Sequence, residues 1–335
     1  MHQPKFLRRF LMAVWLLAAG AAQAQLDYAL YGVADFSFGR FEPSGALPHS
    51  RYNSNSLTAS FVGGNAKYGL DGGWTPGITL ESFVRFQDGR LGRRNTDPIL
   101  SRNAFVSVAS PYGLMRIGRL QTYLFDATAR FNAFGNSISF SPALRHVFAS
   151  GNLEGVQRDF YWNRAVSYST PTIEGVTFSL MHSQLDKYET GGLTGGSLIV
   201  ARGLLGVSLA AQRVKAHDGF SDPTDETTVQ VGATYNFGVA KLFGQYTASQ
   251  DVGLDVRSKT SSAGISLALG AGNLIAQVAY TTAKGPAVDR KHTSTSLGYV
   301  YPYDSTIDFY VLGMDDRVIA QTRGVSAAFG VRWRY

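Results

Sequence analysis

The chain has 335 residues with a formal net charge of +7, and it contains 37 glycines, 11 prolines, 13% aromatic residues and no cysteine. The absence of cysteine excludes a disulfide framework and a thiolate metal site. Lys and Arg are scattered singly through polar and aromatic sequence, which excludes the concentrated basic surface of a nucleic-acid-binding protein. Abundant Gly with few Pro is typical of many strands joined by tight turns.

The first 24 residues have the pattern of a secretory signal peptide. Three cations precede an apolar run at 10–22 that ends in small residues: Lys5, Arg8 and Arg9, then Ala22-Gln23-Ala24. Because the run is too short to span a bilayer comfortably, we expect cleavage before Gln25. The alternative is an uncleaved anchor. Loss of three cations and no acid lowers the net charge from +7 to +4.

Residues 25–335 show no Pro/Ser-rich linker, charge block or shift in composition, which predicts a single domain. No run of 18 apolar residues follows the leader. Helical membrane spans are therefore excluded, whereas barrel strands are not, since each needs only about 9 to 11 alternating residues.

Alternation of apolar and polar residues recurs along the whole domain and predicts sixteen strands. In chain order these are 29–38, 60–70, 78–87, 103–109, 114–118, 162–170, 176–182, 197–201, 204–214, 227–237, 241–249, 261–269, 274–282, 293–301, 306–312 and 329–335. Tight turns such as "NFGVA", "LGAGN" and "PYDST" alternate with longer polar stretches such as "SQDVGLDVRSK", "TAKGPAVDRKH" and "GMDDRVIAQT". One rim with short turns and another with exposed loops is typical of a membrane barrel.

The final strand, "FGVRWRY", shows which way such a sheet faces. Phe329, Trp333 and Tyr335 share one side, and Arg332 and Arg334 share the other. A soluble sandwich also alternates, but here aromatic residues lie near strand ends and the second face is polar in strand after strand. We therefore favour an all-β, transmembrane antiparallel barrel with apolar side chains outside and polar ones inside.

The chain resembles the Gram-negative general porins over most of residues 25–335. Four segments carry the resemblance: "YALYGVADFSFG", "GLMRIGRL", "NRAVSYSTP" and "FGVRWRY". The resemblance implies a 16-stranded outer-membrane barrel, a homotrimer, and a long third loop at 119–158 that folds into the lumen as the constriction. It also implies that Trp333 and Tyr335 belong to the membrane-insertion signal. The second predicted strand, "SFVGGNAKYGLDGG", departs from the family pattern, because its polar face depends on Asn65 and Lys67.

A diffusion channel needs facing charges along a wet bore and no catalytic group. Strand phase and the resemblance select wall and loop candidates, and for each of them a solvated charge without influence on selectivity is the alternative. They are Arg40 near the pore mouth, Glu81, Arg85, Arg116 and Arg119 on the wall, and Asp126, Arg130 and Glu154 on the loop. Residues 119–158 contain four arginines and His146 but only two acids, Asp126 and Glu154, so we hypothesise weak anion selectivity.

We expect small hydrophilic solutes and anions as cargo, outer-membrane lipid and lipopolysaccharide as neighbours, and no cofactor, metal or nucleic acid. A substrate-selective porin for carboxylates or phosphates is the alternative among channels, and an outer-membrane hydrolase is the alternative from another class. The five histidines after the leader are isolated in sequence and match no metal or nucleophile motif. "GGLTGGSL" from Gly191 predicts a flexible outer loop, and Asp222, Asp225 and Glu226 predict a solvated loop tip or a divalent-cation site.

Overall fold

The computed structural model describes residues 26–150, 159–184, 190–217 and 224–335. The signal peptide predicted at 1–24 lies outside these residues. The strands form one antiparallel sheet that closes on itself, because the first strand pairs with the last from Val33 opposite Arg334 to Arg40 opposite Ala327. Backbone N–H groups of Gly32 and Tyr335 each donate to the other residue's carbonyl oxygen, at 3.1 and 3.2 Å. The sheet is therefore a closed barrel.

Eighteen strands occur in the described residues. They are β1 Leu26–Phe41, β2 His49–Asn53, β3 Phe61–Tyr68, β4 Thr75–Arg85, β5 Arg90–Leu91, β6 Ala104–Ser110, β7 Gly113–Gln121, β8 Tyr161–Ser169, β9 Val176–Ser183, β10 Thr190–Arg202, β11 Leu205–His217, β12 Thr224–Asn236, β13 Ala240–Asp251, β14 Val256–Leu269, β15 Gly272–Gly285, β16 Val288–Pro302, β17 Ile307–Val318 and β18 Gly324–Arg334. β2 and β5 are short additions paired with β1 and β4. The other sixteen form the wall, and each overlaps one of the sixteen predicted strands.

The few helices lie in the connections. A 3-10 turn at Asp71–Gly73 joins β3 to β4, while helix α1 (Tyr123–Arg130), helix α2 (Pro142–Arg145) and a π-helical turn (His146–Ser150) follow β7. The hydroxyl oxygen of Thr122 accepts the backbone N–H of Phe125 and caps the start of α1. Among the described residues, no helix combines the length and the apolar composition needed to cross a membrane.

The wall is apolar outside and polar inside, as the final strand predicts. Phe329, Trp333 and Tyr335 are 62%, 49% and 48% exposed, and their neighbours Arg332 and Arg334 point to the opposite face, where both pair with Asp308. We call the side that carries these polar residues the inward face. This distribution is the inverse of that in a soluble sheet protein and suits a barrel surrounded by hydrocarbon.

The two rims differ, but less than the sequence predicts. At the rim holding Tyr335, β10 and β11 are joined by 203–204, and β14 and β15 by 270–271. At the other rim three long connections occur early in the chain, at 42–60, 86–103 and 122–160. Three further stretches expected to be long loops there are short, spanning 252–255, 286–287 and 319–323. On both sides of these three stretches the backbone pairing of the strands continues although both faces carry polar residues. Hydrophobic alternation cannot detect such strand ends.

The prediction of a flexible outer loop at "GGLTGGSL" is wrong. These residues belong to β10, which pairs with β9 on one side and β11 on the other. A Cβ on Gly196 would lie 2.6 Å from the carbonyl oxygen of Ser179, so glycine permits close approach of the neighbouring strand here. Four glycines in eight residues therefore reflect tight strand packing.

The second wall strand is interrupted. β1 pairs with β3 as far as Val33 opposite Phe61, and with β2 from Ser37 opposite Asn53. Residues 54–60 between these two paired stretches leave the ladder, and we call them the inward excursion. Asp35 lies opposite the gap and is fully buried.

Candidate pore constriction

The inward excursion is held by one carboxylate. Asp35 accepts the backbone N–H groups of Ser56, Leu57 and Thr58 at 3.0 to 3.2 Å. It also accepts the hydroxyl of Tyr310 from β17 at 2.7 Å. These four donors satisfy the buried carboxylate, and within the described parts of the chain no cationic group pairs with it. Asp35 therefore fixes the backbone that meets the third connection.

The third connection, residues 122–160, contacts the inward face far from its own strands. Gln230 on β12 donates to the hydroxyl of Thr128 at 2.9 Å, and Gln245 on β13 donates to the carbonyl oxygen of Thr128 at 2.8 Å. A Cβ on Gly232 would lie 3.0 Å from the Cβ of Phe131, so the small residue on β12 leaves room for the aromatic one. These contacts anchor the end of α1 to the barrel wall.

The middle of the third connection packs against β1 and the inward excursion. The hydroxyls of Ser137 and Ser139 donate to the carbonyl oxygens of Ser56 and Asn55, at 2.5 and 3.0 Å. Phe140 is fully buried, with its ring centroid 5.9 Å from that of Phe41. Two early connections therefore support each other, which sequence alternation alone cannot indicate.

His146 attaches the end of the described part of this connection to β15 and β16. Its Nδ1 lies 2.8 Å from the hydroxyl of Thr281, and its Nε2 lies 2.8 Å from the hydroxyl of Ser294. Its ring stacks on that of His292, with centroids 3.9 Å apart. These two histidines are isolated in sequence, but the fold brings them together from positions far apart in the chain.

The same cluster contains atoms of the kind that bind metal ions, but the position between these atoms is already filled. Nitrogens of His146 and His292 and an oxygen of Asp316 lie within 4.8 Å of one another. The hydroxyl oxygen of Ser294 lies 2.8, 3.1 and 2.5 Å from these atoms, and Arg145 bonds the second oxygen of Asp316 at 3.0 Å. A hydroxyl occupies the point that an ion would need. The donor set fits a hydrogen-bond network better than a metal site.

Two arginines share one acid at the base of the third connection. Arg119, whose side chain is 8% exposed, donates to Asp159 at 2.6 Å, and Arg93 donates to both oxygens of Asp159 at 2.7 and 2.8 Å. Burial opposes ionisation of Asp159, but hydrogen bonds and charge from Arg93 and Arg119 outweigh it and hold the pKa of this carboxyl below its usual value. Arg93 also donates to Asp97 at 3.2 Å, so the two arginines face two acids and the group carries no net charge.

The wall candidates Glu81 and Arg85 belong to different networks. Glu81 is buried, accepts from Tyr31 and Asn103 at 2.7 Å, and pairs with Arg102. Arg85 instead donates to Asn95 at 2.8 Å and lies 3.4 Å from Asp88. The two candidates share the inward phase of β4 but do not contact each other.

Arg116 lies on the inward face of β7 with neutral partners. It donates to the hydroxyls of Tyr123 at 2.8 Å and Ser167 at 3.2 Å. Among the described residues, no carboxylate lies within 4 Å of its guanidinium. A similar excess exists near the rim that holds Tyr335, where Arg332 and Arg334 share the single acid Asp308.

The remaining candidates are exposed or outside the described residues. Asp126 and Arg130 form an ion pair at 2.9 Å along α1. Arg40 pairs with Glu42 at 2.7 Å and shares the outward face with Phe36 and Phe38, at the rim rather than on the wall of the bore. Glu154 lies outside the described residues.

The acidic stretch near the fifth connection does not form one group. Asp222 lies outside the described residues, while Asp225 and Glu226 are consecutive residues of β12. Asp225 binds Arg213 on the outward face at 2.8 Å, and Glu226 is buried. The loop-tip interpretation of these two residues is therefore wrong.

Several residues of this region escaped sequence reasoning. Arg93, Arg102 and Asp159 lie in irregular connections, where no periodicity assigns a face. Asp35 carried a usable signal, since it is the one acid within the apolar and aromatic run "YGVADFSFG". No sequence pattern indicated the contact between His146 and His292.

Comparisons with known proteins agree with this architecture. A family model described as Gram-negative porin matches residues 11–317. Outer membrane porin protein 32 of Delftia acidovorans is 30% identical over 320 residues, which cover 88% of this chain and 85% of that protein. The solved structure of an anion-selective porin from Comamonas acidovorans superposes with a TM-score of 0.78 at 22% identity, covering 93% of this chain and all of the other. In-vitro folded OmpT of Vibrio cholerae, in its trimer form, gives a TM-score of 0.70 at 15% identity, covering 93% of this chain and 99% of the other.

Proposed function

Because the chain belongs to the Gram-negative porin family, and is thus an outer-membrane channel rather than an enzyme, we propose that it passes small hydrophilic solutes passively with a weak preference for anions. The observation that carries the proposal is the uncompensated arginine on the inward face. Among the described residues Arg116 has only neutral partners, and Arg332 and Arg334 share the single carboxylate of Asp308. Fixed cations in a narrow bore attract anions and repel cations.

Residues 119–158, which include most of the third connection, are our proposed constriction. Its contacts with β1, β12, β13 and β15 support this role, since they draw it towards inward-facing side chains. Arg85, Arg119 and Glu81 would line the wall beside it, and Asp126, Arg130 and Glu154 would contribute loop charges. Arg116 would be the dominant unpaired cation.

Our proposals for the assembly and biogenesis of the protein also rest on its membership of the porin family. We propose a homotrimer, supported by the trimer form of OmpT among the similar structures. We also propose removal of residues 1–24, recognition of Trp333 and Tyr335 during insertion, and contact of the outward face with lipid and lipopolysaccharide. Outward exposure of both aromatic residues supports their proposed role.

Reversal potentials across planar bilayers in a tenfold KCl gradient test the selectivity. The wild type should prefer chloride, and Arg116→Gln should lower the chloride-to-potassium permeability ratio by about twofold, as expected when one charge is removed from a potential of a few kT. Arg213→Gln is the matched control, because Arg213 lies on the outward face. Cation preference in the wild type would contradict the proposal. Conductance that saturates with one carboxylate or phosphate solute would indicate a substrate-selective porin instead.

A further inference from the structure

Four cations cluster on the outward face of β14, β15 and β16, at the rim of the long connections. Arg257, Lys259, Lys284 and Lys291 are all exposed. Buried Ser258 and Thr260 alternate with Arg257 and Lys259, which places both cations on the outward side of β14. The cluster is therefore outside the bore.

The strand register brings these side chains together. Arg257 lies directly opposite Lys284, and Thr282 lies opposite both Lys259 and Lys291. Neighbouring strands are about 4.8 Å apart, so the four cations lie within roughly 10 Å across the sheet. Asp289, opposite Lys284, is the one acid within this register.

Three cations elsewhere on the outward rim have acidic partners. Arg213 binds Asp225 at 2.8 Å, Arg317 binds Asp315 at 2.7 Å, and Arg40 binds Glu42 at 2.7 Å. Within the described part of the chain, none of the four clustered cations has a carboxylate within 4 Å. Like charges directly opposite each other across strands are unfavourable unless an anion lies between them.

The same strands carry apolar side chains nearer the opposite rim. On β16 the outward face holds Lys291 and then Leu297, Tyr299 and Tyr301. In an outer-membrane barrel the short turns face the periplasm, so the rim with the long connections faces outside. The cations are thus at the height where the hydrocarbon of the outer leaflet gives way to its headgroups.

We propose that Arg257, Lys259, Lys284 and Lys291 bind the phosphorylated headgroup of an outer-leaflet lipid, one that carries two phosphate groups. Its acyl chains would lie along the apolar face below, and its phosphates would separate the opposed cations. This inference deepens the lipopolysaccharide contact proposed above by giving it a site.

Native mass spectrometry of the assembled protein in detergent tests the site, with diphosphoryl lipid A, monophosphoryl lipid A and phosphatidylethanolamine as probes. We expect preference in that order, and at least tenfold weaker binding of diphosphoryl lipid A to the variant K259Q/K284Q/K291Q. Asp289→Asn should bind more tightly, which provides a second readout without loss of cations. Millimolar inorganic phosphate should not displace the lipid.

The matched control is R40Q/R213Q/R317Q, which removes three outward cations that have acidic partners. Equal losses in both triple variants would overturn the site, as would wild-type binding by K259Q/K284Q/K291Q or displacement by phosphate. Planar-bilayer conductance of the same samples should be unchanged, because the cluster lies outside the bore. Retained conductance without lipid preference would refute only the lipid site, whereas absent conductance would refute the channel.

Discussion

At the scale of single residues, His146 is a buried base at the attachment of the third connection. Burial lowers its pKa well below the usual value for histidine, and the charges of His292 and Arg145 lower it further, partly opposed by Asp316. The hydroxyls of Thr281 and Ser294 face its two nitrogens. The neutral imidazole is therefore the form that the fold accommodates.

Because the folded-state pKa of His146 is depressed, its contribution to stability is present at neutral pH and is lost as pH falls below the unfolded value of about 6.5. We expect the thermal unfolding midpoint of the wild type to fall more steeply between pH 7.5 and pH 5 than that of His146→Gln. Circular dichroism in detergent measures both midpoints. His182→Gln is the control, since His182 is exposed, and equal slopes for wild type and His146→Gln would contradict the assignment.

Residue-level prediction from sequence succeeded where strand phase decides the face and failed where distant segments meet. Arg332, Arg334 and Glu81 were placed correctly on the inward face by counting residues along a strand. Arg93 reaches Asp159 across 66 positions of the chain, and because both residues lie in irregular connections, no local pattern encodes such a pair.

At the scale of elements, Phe140 carries the packing between the third connection and β1. It is fully buried against Phe41, and the chain around it is held by Ser137 and Ser139. Phe140→Ala should destabilise this packing by about 3 to 5 kcal/mol. If the connection narrows the bore, the variant should also show larger and noisier single-channel conductance.

Single-channel recording in planar bilayers checks this effect, together with urea unfolding of the folded protein. Phe309→Ala removes a ring of the same size from the outward face and should leave conductance unchanged. Unaltered conductance in Phe140→Ala would mean that this connection does not limit flow.

The sixteen wall strands were predictable because the sheet has hydrocarbon on one face and water on the other. Every strand therefore repeats the same alternation of apolar and polar residues. β2, β5 and the two short helices were not, since they are fixed by tertiary contacts rather than by periodicity. Strand ends at the outer rim were also missed, because backbone pairing there continues where both faces are polar.

At the scale of the whole molecule, the proposed selectivity comes from summed fixed charge and should therefore depend on ionic strength. The Debye length falls from about 10 Å at 0.1 M to about 3 Å at 1 M salt. We expect the chloride-to-potassium permeability ratio to approach the ratio of free-solution mobilities in molar KCl. Reversal potentials at a fixed tenfold gradient but rising mean concentration measure this, and a constant ratio would favour a specific binding site over a diffuse field.

The inward excursion at 54–60 lies between the two stretches that pair with β1, and it supports the chain around Ser137 directly. If these residues and the third connection form the constriction that we propose, its width is tied to the hydrogen-bonded strands of the barrel, and widening it would require deforming those strands. A channel built in this way keeps a nearly constant exclusion limit as temperature or membrane tension varies.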